Sequence, residues 1–177
     1  MSKFELAIDS VLRHEGGFSN DPTDPGGTTN FGISLRYLVG AGIDVDGDGD
    51  VDAEDIRLLT KEQAAEIYRN RWWNKYNYSA IVSQPLATKI FDTSVNVGAP
   101  QSHIFLQRSL NNLFGNNLNV DGKLGPTTLA AVNVLGTNDS TVLALFRQQQ
   151  MRFYRLLITQ KPELEKYQNG WLRRANS

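Results

Sequence analysis

The chain has 177 residues, 40% of them hydrophobic, a formal net charge of −1 and no cysteine. That length suits one packed domain or a domain with a small appendage, and the missing cysteines exclude disulfides and thiol chemistry. No apolar run is long enough to span a bilayer, and Met1-Ser2-Lys3-Phe4-Glu5 lacks the basic-then-apolar pattern of a signal peptide. The first predicted element is a helix. Phe4, Ala7, Ile8, Val11 and Leu12 recur at i, i+3, i+4, i+7 and i+8, which is one helical face. Glu15 stands eleven residues after Phe4 and returns to that face. A carboxylate that extends an apolar stripe is partly desolvated, which raises its pKa toward the range of a general acid. The alternative is a surface glutamate at a frayed helix end, closed by Gly16 as a cap.

A glycine-rich turn follows. It reads Glu15-Gly16-Gly17-Phe18-Ser19-Asn20-Asp21-Pro22, then Asp24-Pro25-Gly26-Gly27-Thr28-Thr29-Asn30-Phe31-Gly32-Ile33. Asp21 and Asp24 are close enough along the chain to fold back toward Glu15. A pair of carboxylates is the minimal equipment for glycoside hydrolysis: one acid, and one base or charge stabiliser. Thr28, Thr29 and Asn30 are candidates to orient a water. Asp-Pro and Gly-Gly are also ordinary turn chemistry.

The run from His14 to Ile33 resembles the signature of the family 108 glycoside hydrolases, the phage and bacterial N-acetylmuramidases. That signature is His-Glu-Gly-Gly-aromatic, then Asn-Asp-Pro, then Asp-x-Gly-Gly-x-Thr-x-aromatic-Gly-Ile. The resemblance implies a mainly α, lysozyme-like helical fold with a glycine-rich active-site loop. It also implies cleavage of the glycan strands of peptidoglycan, with Glu15 as the catalytic acid. Related phage lysozymes carry an Asp and then a Thr downstream of the acid. Here Asp24 stands nine residues on, Thr29 fourteen and Asn30 fifteen. Asp24 and Thr29 are therefore taken as catalytic and Asn30 as substrate-binding. Which of Asp21, Asp24, Thr29 and Asn30 positions the nucleophile stays open. The resemblance to phage endolysins further implies synthesis in the host cytoplasm and access to the wall after a separate protein opens the membrane.

Charge is unevenly distributed. Residues 1–84 hold 8 Lys/Arg and 14 Asp/Glu, a net −6, and residues 85–177 hold 10 and 5, a net +5. The basic half suits an anionic partner such as peptidoglycan stems, lipid head groups or nucleic acid, or is simply a solvated surface. No basic run interleaved with aromatics points to nucleic acid.

Most of the acidity comes from Asp44, Asp46, Asp48, Asp50, Asp52, Glu54 and Asp55, seven acids in twelve residues without a Lys or Arg. Asp44, Asp46, Asp48 and Asp55 fall at positions 1, 3, 5 and 12 of an EF-hand-like loop, Gly49 at position 6 and Val51 at position 8. Calcium takes about six to eight oxygens, and the glycine allows the bend that turns alternate residues inward. One structural Ca2+ is expected on Asp44, Asp46, Asp48, the Asp50 carbonyl and Asp55, with water through Asp52. Asp at position 12 departs from the usual Glu and resembles dockerin loops. Residues 34–39 are expected to form the entering helix and residues 53–59 the exiting one.

Thr60-Lys61-Glu62-Gln63 is a capping box. It opens a helix with Ala64, Ile67, Tyr68 and Trp72 on one face. The aromatics of Arg71-Trp72-Trp73, Tyr76 and Tyr78 suit either a sugar platform or a core. Ser83-Gln84-Pro85 starts a helix through Leu86, Ile90, Phe91 and Val97, broken at Gly98-Ala99-Pro100. Ile104, Phe105, Leu110 and Leu113 continue the pattern. Pro126 marks a helix start, and Asp139 is placed to cap a long final helix through Leu156.

Phe91-Asp92-x-Ser94-Val95-Asn96-x-Gly98, Leu106-Gln107-Arg108 and Val120-Asp121-Gly122-x-x-Gly125-Pro126-x-Thr128-Leu129 resemble the peptidoglycan-binding region that follows the catalytic segment in this family. Asp92 and Asn96 sit one turn apart and either face the cleft, binding substrate, or cap local backbone. The expected organisation is a catalytic segment over 1–84 and a helical binding region over 85–177, packed as one compact, monomeric unit.

Other constellations fail. Phe18 occupies the second histidine position of a His-Glu-x-x-His zinc motif. With only His14 and His103, a histidine-rich metal site is excluded. The expected function is hydrolysis of the β-1,4 bond between N-acetylmuramic acid and N-acetylglucosamine. A lytic transglycosylase or a non-catalytic wall-binding or secretion-related module is the alternative. No membrane insertion and no cofactor for the chemistry itself are expected.

Overall fold

A computed structural model describes residues 1–19, 27–115, 118–134 and 138–177. The chain divides into two compact units, one of Ile8–Arg71 and one of Met1–Ala7 with Trp72–Ser177. The compact units therefore divide at 7/8 and 71/72. The first residues account for the first of these divisions. Ser2 donates its backbone N–H to the Ile81 carbonyl at 3.0 Å and its hydroxyl to the Tyr78 carbonyl at 2.9 Å. Phe4 packs edge-on against Trp73, with ring centroids 5.8 Å apart. The amino terminus is thus built into the unit that holds the second half of the chain.

The Ile8–Arg71 unit contains the end of α1 (Phe4–Glu15), a short hairpin, and three helices. The hairpin pairs β1 (Thr29–Asn30) with β2 (Ile33–Ser34), Thr29 opposite Ser34 and Asn30 opposite Ile33. Ser34 caps α2 (Leu35–Ala41), which ends at Gly42 in the left-handed region. Asp52 caps α3 (Ala53–Leu58), and Thr60 forms the expected capping box of α4 (Lys61–Tyr68). Val11, Leu38, Ile56, Ala64 and Tyr68 are fully or almost fully buried here.

Beyond α4 the chain widens into a π-helical turn over Arg69–Asn74. The wider turn delays the apolar face. Trp72 was expected on that face. Trp73 is the buried residue instead, at 3% exposure, and Trp72 stays half-buried. Trp73 and Tyr78 both reach Phe91, at 5.4 and 6.0 Å between centroids. They are core, not a sugar platform.

The second unit is helical among its described residues. It comprises α5 (Gln84–Val97), α6 (Ala99–Phe114), α7 (Pro126–Asn133), α8 (Asp139–Gln160) and α9 (Gln168–Asn176). Ser83 caps α5. Asp139 is the first residue of α8 and accepts a hydrogen bond from the Ser83 hydroxyl at 2.9 Å. That helix runs on to Gln160, and α9, which the periodicity did not reveal, follows a 3-10 turn at Pro162–Tyr167.

Polar side chains fasten this unit. Gln107 on α6 donates to Asp121, to the Lys123 carbonyl and to Thr128, and accepts from the Gly122 N–H at 3.0 Å. A Cβ on Gly122 would stand 2.8 Å from the Pro100 carbonyl oxygen, and its φ is +73°, so the position requires glycine. The Asp-Gly-x-x-Gly-Pro-x-Thr element is therefore a clasp on α6. His103 completes it. Its Nδ1 lies 2.9 Å from the Gly122 carbonyl and its Nε2 2.9 Å from the Tyr78 hydroxyl.

Burial lowers the His103 pKa from its ordinary 6.5. The folded state then binds the proton less readily than the unfolded chain. Its contribution to stability is complete above about pH 6.5 and is lost as pH falls below that value. Thermal melts taken from about pH 7 down to about pH 5, above the range where ordinary carboxylates titrate, are expected to show a falling melting temperature, and His103→Gln a flatter profile. Parallel profiles would remove His103 as the cause.

Candidate active site

Glu15 ends α1 and is half-buried, with its Oε1 atom buried. Gly16 follows at φ +76°, the left-handed geometry expected of a helix cap. The Gly16 cap is common to both readings of Glu15, and its half-burial fits a partly desolvated carboxylate better than a surface one.

What holds the carboxylate is the hairpin. Its two-residue turn, Phe31–Gly32, has φ of +49° and +77°. Two positive φ values are the mark of a type I′ turn, the tight connection that matches the twist of paired strands. A phenylalanine adopts this region only under constraint. The constraint is visible: the Tyr68 hydroxyl donates to the Phe31 carbonyl at 2.9 Å. Gly32 faces Glu15 directly. A Cβ there would lie 2.6 Å from the Tyr68 hydroxyl oxygen, 2.7 Å from Glu15 Oε2 and 2.8 Å from Glu15 Cβ. Carboxylate, phenol and turn therefore meet around one point that only glycine leaves open.

The rest of the hairpin positions that turn. Ser19 and Thr29 exchange two backbone hydrogen bonds at 2.8 Å. Thr29 is half-buried with its backbone fixed on both sides. Asn30 was expected to bind substrate. It is 6% exposed, and its amide donates to the carbonyls of Ile56 at 3.0 Å and Leu59 at 3.3 Å. It clamps the hairpin to the end of α3, and a side chain so engaged is not free to meet a glycan. Asp21 and Asp24 lie outside the described residues.

Asp92 was expected either to face the cleft or to cap local backbone. It is 1% exposed and carries both carboxylate oxygens on Arg174, Nε to Oδ2 at 3.1 Å and Nη2 to Oδ1 at 3.0 Å. A buried bidentate pair is structural; the side chain has no face for a polymer. Asn96 is half-buried and accepts from the Tyr154 hydroxyl at 2.6 Å. Tyr154 in turn accepts from Gln150. Neither residue is an open cleft donor.

The acidic loop gathers its carboxylates in two groups. Asp44, Asp46 and Asp48 bring oxygens within 4.8 Å of one another, and so do Asp50, Asp52 and Asp55. Asp55 differs from the other expected ligands. It is 1% exposed, takes the Val45 and Asp46 N–H groups on Oδ1 and the Asp52 N–H on Oδ2, and so closes the loop onto α3. Those backbone hydrogen bonds, Asp52's first, lower its pKa. Asp46 is raised, by desolvation first and then by neighbouring carboxylates, and Asp50 is raised first by the charge of Asp48.

Sequence reading missed Tyr68 and Gly32 as parts of the site. Phe31-Gly32 stood in the quoted signature, and an aromatic-glycine pair between short paired segments is a turn signal. Gly32→Ala is expected to preserve helix content and lower turnover of cell-wall glycan by about 10²-fold, the loss that follows a misplacement of about 1 Å at a reacting group. A variant with native turnover and native circular dichroism would show that the contact does not position Glu15.

The comparisons with known proteins bear on the family and the fold. The family model described as glycosyl hydrolase 108 matches residues 8–98, and the one described as predicted peptidoglycan domain matches residues 101–176. The solved structure of Brucella abortus SagA aligns with a TM-score of 0.74 at 26% identity, over 98% of this chain and 89% of that one. No curated protein matches. The fold is mainly α and lysozyme-like, and the protein is a glycoside hydrolase that acts on peptidoglycan. With Glu15 and its cradle inside the matched catalytic segment, the chain belongs to the glycosyl hydrolase 108 family.

Proposed function

We propose that the bond cleaved is the β-1,4 linkage between N-acetylmuramic acid and N-acetylglucosamine, with Glu15 donating a proton to the leaving oxygen while a water attacks. The observation that carries this is the half-buried Glu15 carboxyl held against the Phe31–Gly32 turn and the Tyr68 hydroxyl. A general acid must be held within hydrogen-bond reach of the leaving oxygen, and a carboxyl fixed by its surroundings is suited to that task. Asp24, nine residues on, or Thr29 assists the water. The resemblance to phage muramidases supports a bacteriolytic endolysin, made in the host cytoplasm, acting as a monomer once the membrane is opened. Among the described residues no helix is long and apolar enough to cross a membrane.

Mass spectrometry of digested peptidoglycan tests the bond and the mechanism together. Reducing muramic acid ends are expected. Their 1,6-anhydro form would mean a transglycosylase, and reducing glucosamine ends a different bond. Glu15→Gln should keep the fold and lose about 10²–10⁴-fold in rate, the usual contribution of general acid catalysis. Near-native lysis by that variant would remove Glu15 from the role.

We also propose that the 44–55 loop binds one structural Ca2+. The EF-hand spacing supports it, as do two carboxylate triads without a basic residue inside the loop. The ligands in this reading are Asp44, Asp46, Asp48, the Asp50 carbonyl and Asp55, whose carboxylate also bonds the loop backbone. Binding to the folded state alone stabilises it by about 2.7 kcal/mol at a hundredfold excess over Kd. A melting temperature raised by calcium, less by magnesium, and unresponsive in Asp44→Ala/Asp46→Ala is the expected result. Indifference of the native chain to calcium, together with no heat of binding, would end this assignment.

A further inference from the structure

The second unit holds a cavity that none of the preceding roles uses. It measures about 550 Å³ and lies between α6 and α8. That is within the usual range of ligand pockets, roughly 300–1,000 Å³. Gln101, Phe105, Arg108 and Asn112 line it from one face of α6, at i, i+4, i+7 and i+11. Gln149, Arg152, Phe153 and Leu156 line it from one face of α8, at i, i+3, i+4 and i+7.

The floor is aromatic: Phe105 is 1% exposed and meets Phe153 edge-on at 5.5 Å. The rim is cationic. Arg108 and Arg152 are exposed, and neither makes an ion pair or side-chain hydrogen bond among the described residues. Three other arginines are engaged: Arg174 with Asp92, Arg147 with the Ser177 carbonyl and Arg69 with Glu66. Among the described residues no acid lines the cavity. The single carboxylate on α6 and α8 is Asp139, at the first residue of α8, and it is bonded to Ser83.

Two unpaired guanidiniums in one pocket call for carboxylates, which they bind bidentately. The three flanking amides suit a peptide backbone, and the apolar floor suits small alkyl side chains. In peptidoglycan the glycan strand is built of neutral N-acetylated sugars, whereas the peptide stem carries carboxylates and alanine methyl groups. We propose that this cavity binds the peptide stem of peptidoglycan through its carboxylates, with Arg108 and Arg152 as the anion contacts. This rests on the reading of the protein as a peptidoglycan hydrolase, and it assigns recognition of the peptide to a surface distinct from Glu15.

The test uses the full chain and three probes: a soluble stem tripeptide, the same peptide with its carboxylates amidated, and vesicles of anionic phospholipid. Calorimetry is expected to show binding of the tripeptide only. Arg108→Gln/Arg152→Gln should weaken it at least about tenfold, as loss of charge-assisted hydrogen bonds does. On intact peptidoglycan the double variant should raise KM with kcat unchanged. On peptide-stripped glycan strands it should match the native chain. Native hydrolysis of stripped strands without tripeptide binding would overturn the inference while leaving the hydrolase reading intact. So would equal binding by the double variant, or vesicles binding as well as the peptide. Tripeptide binding that survives a failure to cleave either glycan would support the cavity and defeat the hydrolase reading.

Discussion

A two-residue turn with positive φ at both positions fixes the reactive end of α1. Phe31 and Gly32 bring backbone to within reach of the Glu15 carboxylate, and a single added carbon at Gly32 would collide with it. Everything around the turn serves that approach. The Ser19–Thr29 bridge and the β1–β2 pairing set its register, Asn30 ties it to the end of α3, and Tyr68 bonds the Phe31 carbonyl. A phenylalanine in the left-handed region costs free energy. That cost is offset by contacts drawn from α1, α3 and α4. The site is consequently a property of the whole Ile8–Arg71 unit, although it occupies few residues.

The other unit depends on buried polar bonds of the opposite kind, made between side chains far apart in sequence. Arg174 of α9 grips Asp92 of α5, and the Lys89 ammonium donates to the Arg174 carbonyl at 2.5 Å. Burial brings Lys89 down to about 8. Taking one partner from a buried ion pair typically costs about 3–5 kcal/mol, because the remaining charge has no water. Replacing both with apolar groups is often neutral, so such a pair specifies where α9 docks more than it adds stability. Gln107 and His103 do the same for the segment before α7.

The near-neutral net charge conceals two surfaces with different chemistry. The acidic loop concentrates carboxylates that repel one another, which favours a cation. The α6–α8 cavity concentrates guanidinium groups over an aromatic floor, which favours an anion with an apolar edge. The cavity is framed by two helices, whereas the acidic loop connects α2 to α3 and is closed by Asp55.

By itself the sequence determined the helical class, most caps and the placing of Glu15 at the end of an apolar helical face. Those features are local: the apolar periodicity of α1, the Thr60 capping box, the Ser83 and Pro126 starts, and the spacing that puts Glu15 on an apolar face. The EF-hand spacing was legible for the same reason. Tertiary structure alone decided the rest. The partners of Asp92 and Asn30, Arg174 and the Ile56 and Leu59 carbonyls, were not legible because a polar side chain has the same signature whether it meets a ligand or a distant group. Trp73 replaced Trp72 because one π-helical turn shifts every later residue around the axis. The first seven residues belong to the unit of Trp72–Ser177 because they pack with Trp73, Tyr78 and Phe91. Gly32 and Tyr68 are separated by thirty-six positions, and the point at which both meet Glu15 exists only once α1, the hairpin and α4 are brought together.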